Sequence, residues 1–153
     1  MERFNQWPME ELLPHSGPMV LLDKVLDYGD DTIAVVKVIK PGEPFVMDGQ
    51  VATWVGIEYM AQAVGAFAGM RAKLAGEPVK VGLLIGSRKY EADFPWFSVG
   101  DRLTITAKQI HEEDSGLCVF ECLIDCPAGE VRANLNVFVP DDIDVYLSED
   151  NHE

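Results

Sequence analysis

The sequence predicts an α+β domain in which one long hydrophobic helix is wrapped by a curved antiparallel β-sheet of five to six strands. Two observations carry that prediction. The first is the run Val51–Ala75, VATWVGIEYMAQAVGAFAGMRAKLA, rich in Ala, Met and Gln and free of proline as far as Glu77, which reads as a single helix. Its apolar residues go almost all the way round, so the helix must be enclosed by other elements. The second is three later segments in which apolar and polar residues alternate, the pattern of strands that bury one face.

Taken in order, Met9–Leu13 reads as a short helix between Pro8 and Pro14. Pro14, Gly17 and Pro18 then hold an irregular loop before the apolar run Met19–Leu22, and Tyr28–Asp31 is a turn signal. Thr32–Lys40, full of β-branched residues, is the first clear strand. KPGEPFVMDGQ, from Lys40 to Gln50, is a loop that delivers the chain to the buried helix. Val81–Phe94 reads as a long strand with Gly86 as a bend or bulge, and Pro95–Asp101 as a loop. In the three alternating strands Leu103, Ile105 and Ala107 share a face, then Cys118, Phe120, Cys122 and Ile124, then Val131, Ala133, Leu135, Val137 and Val139. Glu112–Gly116 and Pro127–Gly129 are their hairpin turns. Residues 1–140 form a single domain, and residues 141–153, with six acidic groups, form an acidic C-terminal tail.

A formal net charge of −14 over 153 residues argues against nucleic acid or an anionic membrane surface as partner. The acidic pair in MERFNQWPMEELL is unlike a signal peptide, and a membrane span at Val51–Ala75 would put Glu58 and Gln62 in lipid. The three cysteines, Cys118, Cys122 and Cys126, are odd in number and lack zinc-type spacing, so they are expected as free thiols in a reducing cytoplasm. No cofactor and no metal site is expected.

Within the helix Glu58, Gln62, Gly65 and Gly69 follow at steps of four, three and four, which aligns them on one side. A carboxylate on an enclosed helix must be paired, hydrogen-bonded or protonated. The bland reading is that Glu58 only complements the helix dipole. The two glycines would let another backbone approach closely, and a second subunit is expected there.

The order of elements, together with LLPHSGPMVLLDKV, EPF at Glu43–Phe45, GIEYMAQAVG at Gly56–Gly65 and the stretch Lys89–Leu103, resembles the hotdog fold. Specifically it resembles the β-hydroxyacyl-carrier-protein dehydratases of fatty-acid synthesis, over about Leu12 to Pro140. Within them WVGIEYMAQ is closest to dehydratase-like proteins encoded with aryl-polyene pigment synthesis. The resemblance implies a dimer in which a carboxylate on the central helix, here Glu58, works with a histidine from the preceding loop. Here the sequence departs from the family: between Phe45 and Trp54 the chain reads VMDGQVAT, shorter and without histidine.

Dehydration of a 3-hydroxyacyl thioester needs a base for the proton beside the carbonyl and an acid for the leaving hydroxyl. It also needs a donor for the enolate oxygen, for which the helix N-terminus near Val55 or Gly56 is suited, with Gln62 beside Glu58 on the substrate side. His15, Asp48 and His111 are the candidates to partner Glu58, of which His111 is expected to be a surface residue; a different hotdog subunit is the remaining source. Three functions compete: a dehydratase acting on a 3-hydroxyacyl chain carried by an acyl carrier protein, a thioesterase, and a non-catalytic acyl-binding subunit of a heteromeric dehydratase. An acidic carrier protein would need a basic patch, for which Arg71, Lys73, Lys80, Arg88 and Lys89 are the candidates. Trp54, Tyr59, Met60 and Phe67 are apolar enough to line an acyl tunnel.

Overall fold

The computed structural model describes residues 7–13, 19–79 and 83–138. The expected loop at residues 14–18 with His15, residues 80–82 with Lys80, Val139 and the acidic tail with His152 lie outside the described residues. The elements are α1 (Met9–Leu12), β1 (Lys24–Tyr28), β2 (Thr32–Val38), β3 (Gln50–Ala52), a 3₁₀ turn (Thr53–Val55) and α2 (Gly56–Leu74). They continue with β4 (Leu83–Ala92), β5 (Trp96–Ser98), β6 (Arg102–Glu112), β7 (Leu117–Cys126) and β8 (Gly129–Phe138). Six strands form one antiparallel sheet in the order β1-β2-β6-β7-β8-β4, and β3 and β5 form a separate two-stranded ribbon.

The alternation predicted for β6, β7 and β8 is the alternation observed. Leu103, Ile105 and Ala107, then Cys118, Phe120, Cys122 and Ile124, then Val131, Ala133, Leu135 and Val137 are all buried, and α2 lies across the face they make. Tyr59, Met60, Ala63, Ala66, Phe67 and Met70 of α2 close the core from the other side. Cys118 and Cys122 are small core residues, as expected, and burial pushes the Cys122 thiol up to about 12.

Four local expectations are corrected. The helix starts at Gly56 rather than Val51, because Val51 pairs with Phe97 and Ala52 with Trp96; tertiary pairing of a β-branched stretch outweighs the helix pattern. The same pairing makes Trp96–Ser98 a strand where a loop was expected. Lys24–Tyr28, not foreseen as a strand, pairs with β2 through an irregular register between Val25 and Asp27. Finally, the glycine stripe is covered by the chain itself: a Cβ at Gly69 would stand 2.9 Å from the Leu12 carbonyl carbon, and one at Gly65 would stand 3.0 Å from Leu13 Cδ2. The N-terminal segment, with Met9, Leu12 and Leu13 buried, occupies the place assigned to a second subunit.

The loop between β2 and β3 is pinned at its base. Lys37, 2% exposed, reaches Glu43 Oε2 at 2.6 Å, and Glu43 Oε1 accepts the Lys40 N–H at 2.7 Å. Gly86, expected as a bulge, lies at a register shift against β8, and a second shift follows between Arg88 and Glu91.

Candidate active site at the head of the central helix

The head of α2 is built by the ribbon. Pro95 O accepts the Thr53 N–H at 3.0 Å, Thr53–Val55 forms one 3₁₀ turn, and the Gly56 N–H donates back to the carbonyls of Thr53 and Trp54. Gly56 is glycine for a packing reason: a Cβ there would be 3.0 Å from both the Ile124 tip and the Tyr90 hydroxyl. Since the Gly56 N–H is already engaged in the turn, this end of the helix acts on a nearby negative charge chiefly through its dipole.

Glu58 sits in the first turn of α2, half-buried. Gln62, one helical turn later and 1% exposed, is the centre of a clamp. Its Nε2 donates to Glu58 Oε1 at 3.3 Å and to the Met19 carbonyl at 2.7 Å, while its Oε1 accepts the Leu21 N–H at 2.9 Å. Both amide hydrogens and the amide oxygen are thus committed, which fixes the face Gln62 turns toward the carboxylate and ties the 19–21 segment to the helix. The i, i+4 pairing of Glu58 and Gln62 was legible in the sequence; the Met19–Leu21 grip, 41 to 43 residues away, carried no sequence signal.

The other predicted residues divide. His15 is outside the described residues; in sequence it precedes by four the Met19 carbonyl that Gln62 holds. Asp48 is exposed with φ +53, next to Gly49 with φ +75. Together they make the tight turn closed by the Met47 and Gln50 backbone bonds at 2.8 and 3.0 Å, a turn in which Asp-Gly is the favoured pair. His111 is an exposed residue of β6 beside Glu113 at 3.1 Å. Tyr59, Met60 and Phe67 are core residues, and burial, with Glu43 nearby, raises the Tyr59 hydroxyl well above its usual value.

Around the helix head the surface is apolar. Trp54 is 66% exposed and Met47 76%, and Phe45, Trp96 and Val99 are also exposed; the ribbon pairing places Ala52 opposite Trp96 and Gly49 beside Val99. Phe45, a bulky residue, holds φ +72, an uncommon conformation for such a side chain. A cavity of about 350 Å³ lies instead along the far half of α2, against the β6–β7 hairpin, with Phe67, Phe120 and Arg71 in its wall. The expected basic patch is dispersed. Arg71 lies on the Phe67 ring and bonds Gln109, the Asp30 carbonyl and Glu112, Lys73 stands 3.8 Å from Glu11, and Arg88 and Lys89 are exposed on the separate β4 edge.

Among the described residues no helix is long and apolar enough to cross a membrane. The architecture has many solved counterparts. A chain of the dehydratase heterocomplex ApeI:P from Xenorhabdus doucetiae superposes with a TM-score of 0.85 at 29% identity, over 94% of this chain and 97% of that one. A hypothetical thioesterase protein of Streptococcus pneumoniae TIGR4 solved with coenzyme A gives a TM-score of 0.58 at 18% identity, over 76% of this chain and 84% of that one, a likeness of fold alone. The 3-hydroxyacyl-acyl-carrier-protein dehydratase FabZ of Streptococcus pneumoniae (strain Hungary19A-6) is 46% identical over 37 residues. That is 24% of this chain, and the match spans about a quarter of that relative's length, 26%. The model of the ApeP-like family, described as ApeP dehydratase, matches residues 7–148. With nearly the whole chain matched and the hotdog architecture in place, this protein belongs to the ApeP-like dehydratase family.

Proposed function

We propose that this chain is a 3-hydroxyacyl-acyl-carrier-protein dehydratase-type subunit of fatty-acid or polyene lipid synthesis, in which Glu58 performs one of the two proton transfers. The observation that carries the reading is the Gln62 clamp, which holds one half-buried carboxylate in a fixed orientation at the positive end of a buried helix. In the reaction the C2 proton leaves to a base, the electron pair passes through an enolate, and the C3 hydroxyl departs as water with a proton from the acid, leaving a C2–C3 double bond. The thioester carbonyl is placed at the Val55–Gly56 turn, where the helix dipole favours the developing negative charge. The second proton-transfer group is His15 of this chain or a residue of a second hotdog subunit, since the loop from Phe45 to Trp54 supplies no histidine.

The assembly proposed is therefore a dimer or larger oligomer, with a second hotdog protein as the favoured partner. The exposed apolar face of Trp54, Trp96 and Met47 supports this, because water-exposed aromatic surface of that kind marks an interaction site. The ten-residue strand β4, which among the described residues pairs with β8 alone and so forms an edge of the sheet, supports it as well. The assay is a 3-hydroxyacyl thioester presented to the chain alone and to the chain co-expressed with a second hotdog protein. Loss of water is the expected product of the assembly; release of free thiol would replace the reading by a thioesterase. An assembly that forms but shows neither, however reconstituted, would leave a non-catalytic acyl-binding subunit.

A further inference from the structure

β4 contains a device that the reaction scheme has not used. Arg88 pairs with Asn134 and Glu91 with Arg132, so that Lys89 and Tyr90 together face the single residue Ala133. Such a two-against-one bulge redirects side chains. Here it rests on Lys89 adopting φ +56, a left-handed conformation that lysine rarely takes. The outcome is that Lys89 stays exposed while Tyr90 turns inward and packs against the core.

There the Tyr90 hydroxyl donates to the Thr53 carbonyl and lies against Gly56, in space that a Cβ would contest at 3.0 Å. Thr53 begins the 3₁₀ turn and Gly56 begins α2, so one side chain touches both ends of the turn that leads into α2, whose own first turn carries Glu58. Burial pushes the Tyr90 hydroxyl up to about 12, which keeps it a neutral donor at any working pH. Non-glycine residues in left-handed conformations persist where surrounding structure enforces them, and they concentrate where geometry matters for function.

We infer that Tyr90 is a positioning residue: the bulge at Lys89 exists to lock the N-terminal turn of α2 through the Tyr90 hydroxyl, and thereby to hold Glu58 at its working angle. The inference rests on the role proposed for Glu58, but its structural arm can be read without any activity.

The test compares Tyr90→Phe, Lys89→Gly and Lys89→Val in the full chain, in whatever assembly the native protein adopts. Loss of one hydrogen bond to a buried carbonyl should speed amide exchange over residues 53–58 by about fivefold in Tyr90→Phe. The far half of α2 should stay unchanged. Lys89→Gly, at home at φ +56, should keep native exchange, whereas Lys89→Val, whose branched Cβ is excluded there, should copy Tyr90→Phe. In the dehydration assay Tyr90→Phe should lower kcat several-fold and leave KM unchanged. Native exchange over 53–58 in Tyr90→Phe would overturn the inference, and so would equal losses in kcat and kcat/KM for Lys89→Gly and Lys89→Val. If Glu58→Gln kept full activity while Tyr90→Phe still loosened the turn, the catalytic reading would fall and the lock would stand.

Discussion

Gly65 and Gly69 lie on one face of α2, yet replacing each by alanine should move stability in opposite directions. Alanine is the better helix former by roughly 1 kcal/mol, and that gain applies to both. At Gly65 the new methyl meets Leu13 Cδ2 at 3.0 Å, the end of a side chain that can rotate aside. Gly65→Ala should therefore stabilise by about 0.5–1 kcal/mol. At Gly69 the methyl meets the Leu12 backbone, with the carbonyl carbon and Cα both at 2.9 Å, and α1 must shift bodily. Overpacking of this kind costs about 1–3 kcal/mol. Because the obstacle is backbone rather than the tip of a side chain, the upper part of that range applies, about 2–3 kcal/mol, and net of the helix gain Gly69→Ala should destabilise by about 1–2 kcal/mol, lowering Tm by roughly 2–8 °C for a domain of this size. Urea or thermal unfolding of both variants measures the difference. A Gly69→Ala protein as stable as the parent, or changes of the same sign at both sites, would refute the seating of α1 on the glycine stripe.

Two further outcomes follow from the same geometry. Gln62→Leu fills the space but strips partners from the Leu21 N–H and the Met19 carbonyl, so unfolding free energy should fall by about 2–4 kcal/mol; a loss under 1 kcal/mol would mean that the clamp is not a stabilising contact. At alkaline pH, burial raises the Cys122 thiol from 9.0 to about 12 and the Tyr90 hydroxyl from 10.0 to about 12. Both groups favour the fold in their neutral forms, so their contribution is complete below pH 9 and is lost as pH rises through 12. Stability should decline over that window, and Cys122→Ala should make the decline between pH 9 and 10 shallower without abolishing it, because burial also raises the Cys118 and Cys126 thiols from 9.0; a flat profile between pH 9 and 12 would contradict the burial of both groups.

The sheet was legible where one face is buried, because alternation at Leu103–Ala107, Cys118–Ile124 and Val131–Val137 is imposed by the pleat itself. Val51–Val55 misled for the opposite reason. Its residues sit within a helix-like pattern, and only the arrival of Trp96–Ser98, paired with Ala52 across 44 residues and with Gln50 across 48, makes them strand and 3₁₀ turn. Lys24–Tyr28 was missed as a five-residue strand with broken register. The glycines announced a close neighbour without naming it. At the site, Glu58 and Gln62 could be placed together because helical geometry fixes residues four apart. What holds Gln62, and what bolts the helix head to β4 through Tyr90, depends on contacts 37 to 43 residues apart. The basic patch failed likewise, since Arg71 and Lys73 are drawn off by Glu112 and Glu11.

The proposed chemistry turns on Glu58 moving a proton, and the direct measurement is enoyl-thioester formation by Glu58→Gln within the assembled protein. Glutamine keeps the shape and the hydrogen bonding toward Gln62 but cannot transfer the proton, so turnover should fall by about 10²–10⁴-fold with the assembly intact. Enoyl product forming at the parental rate would contradict the account.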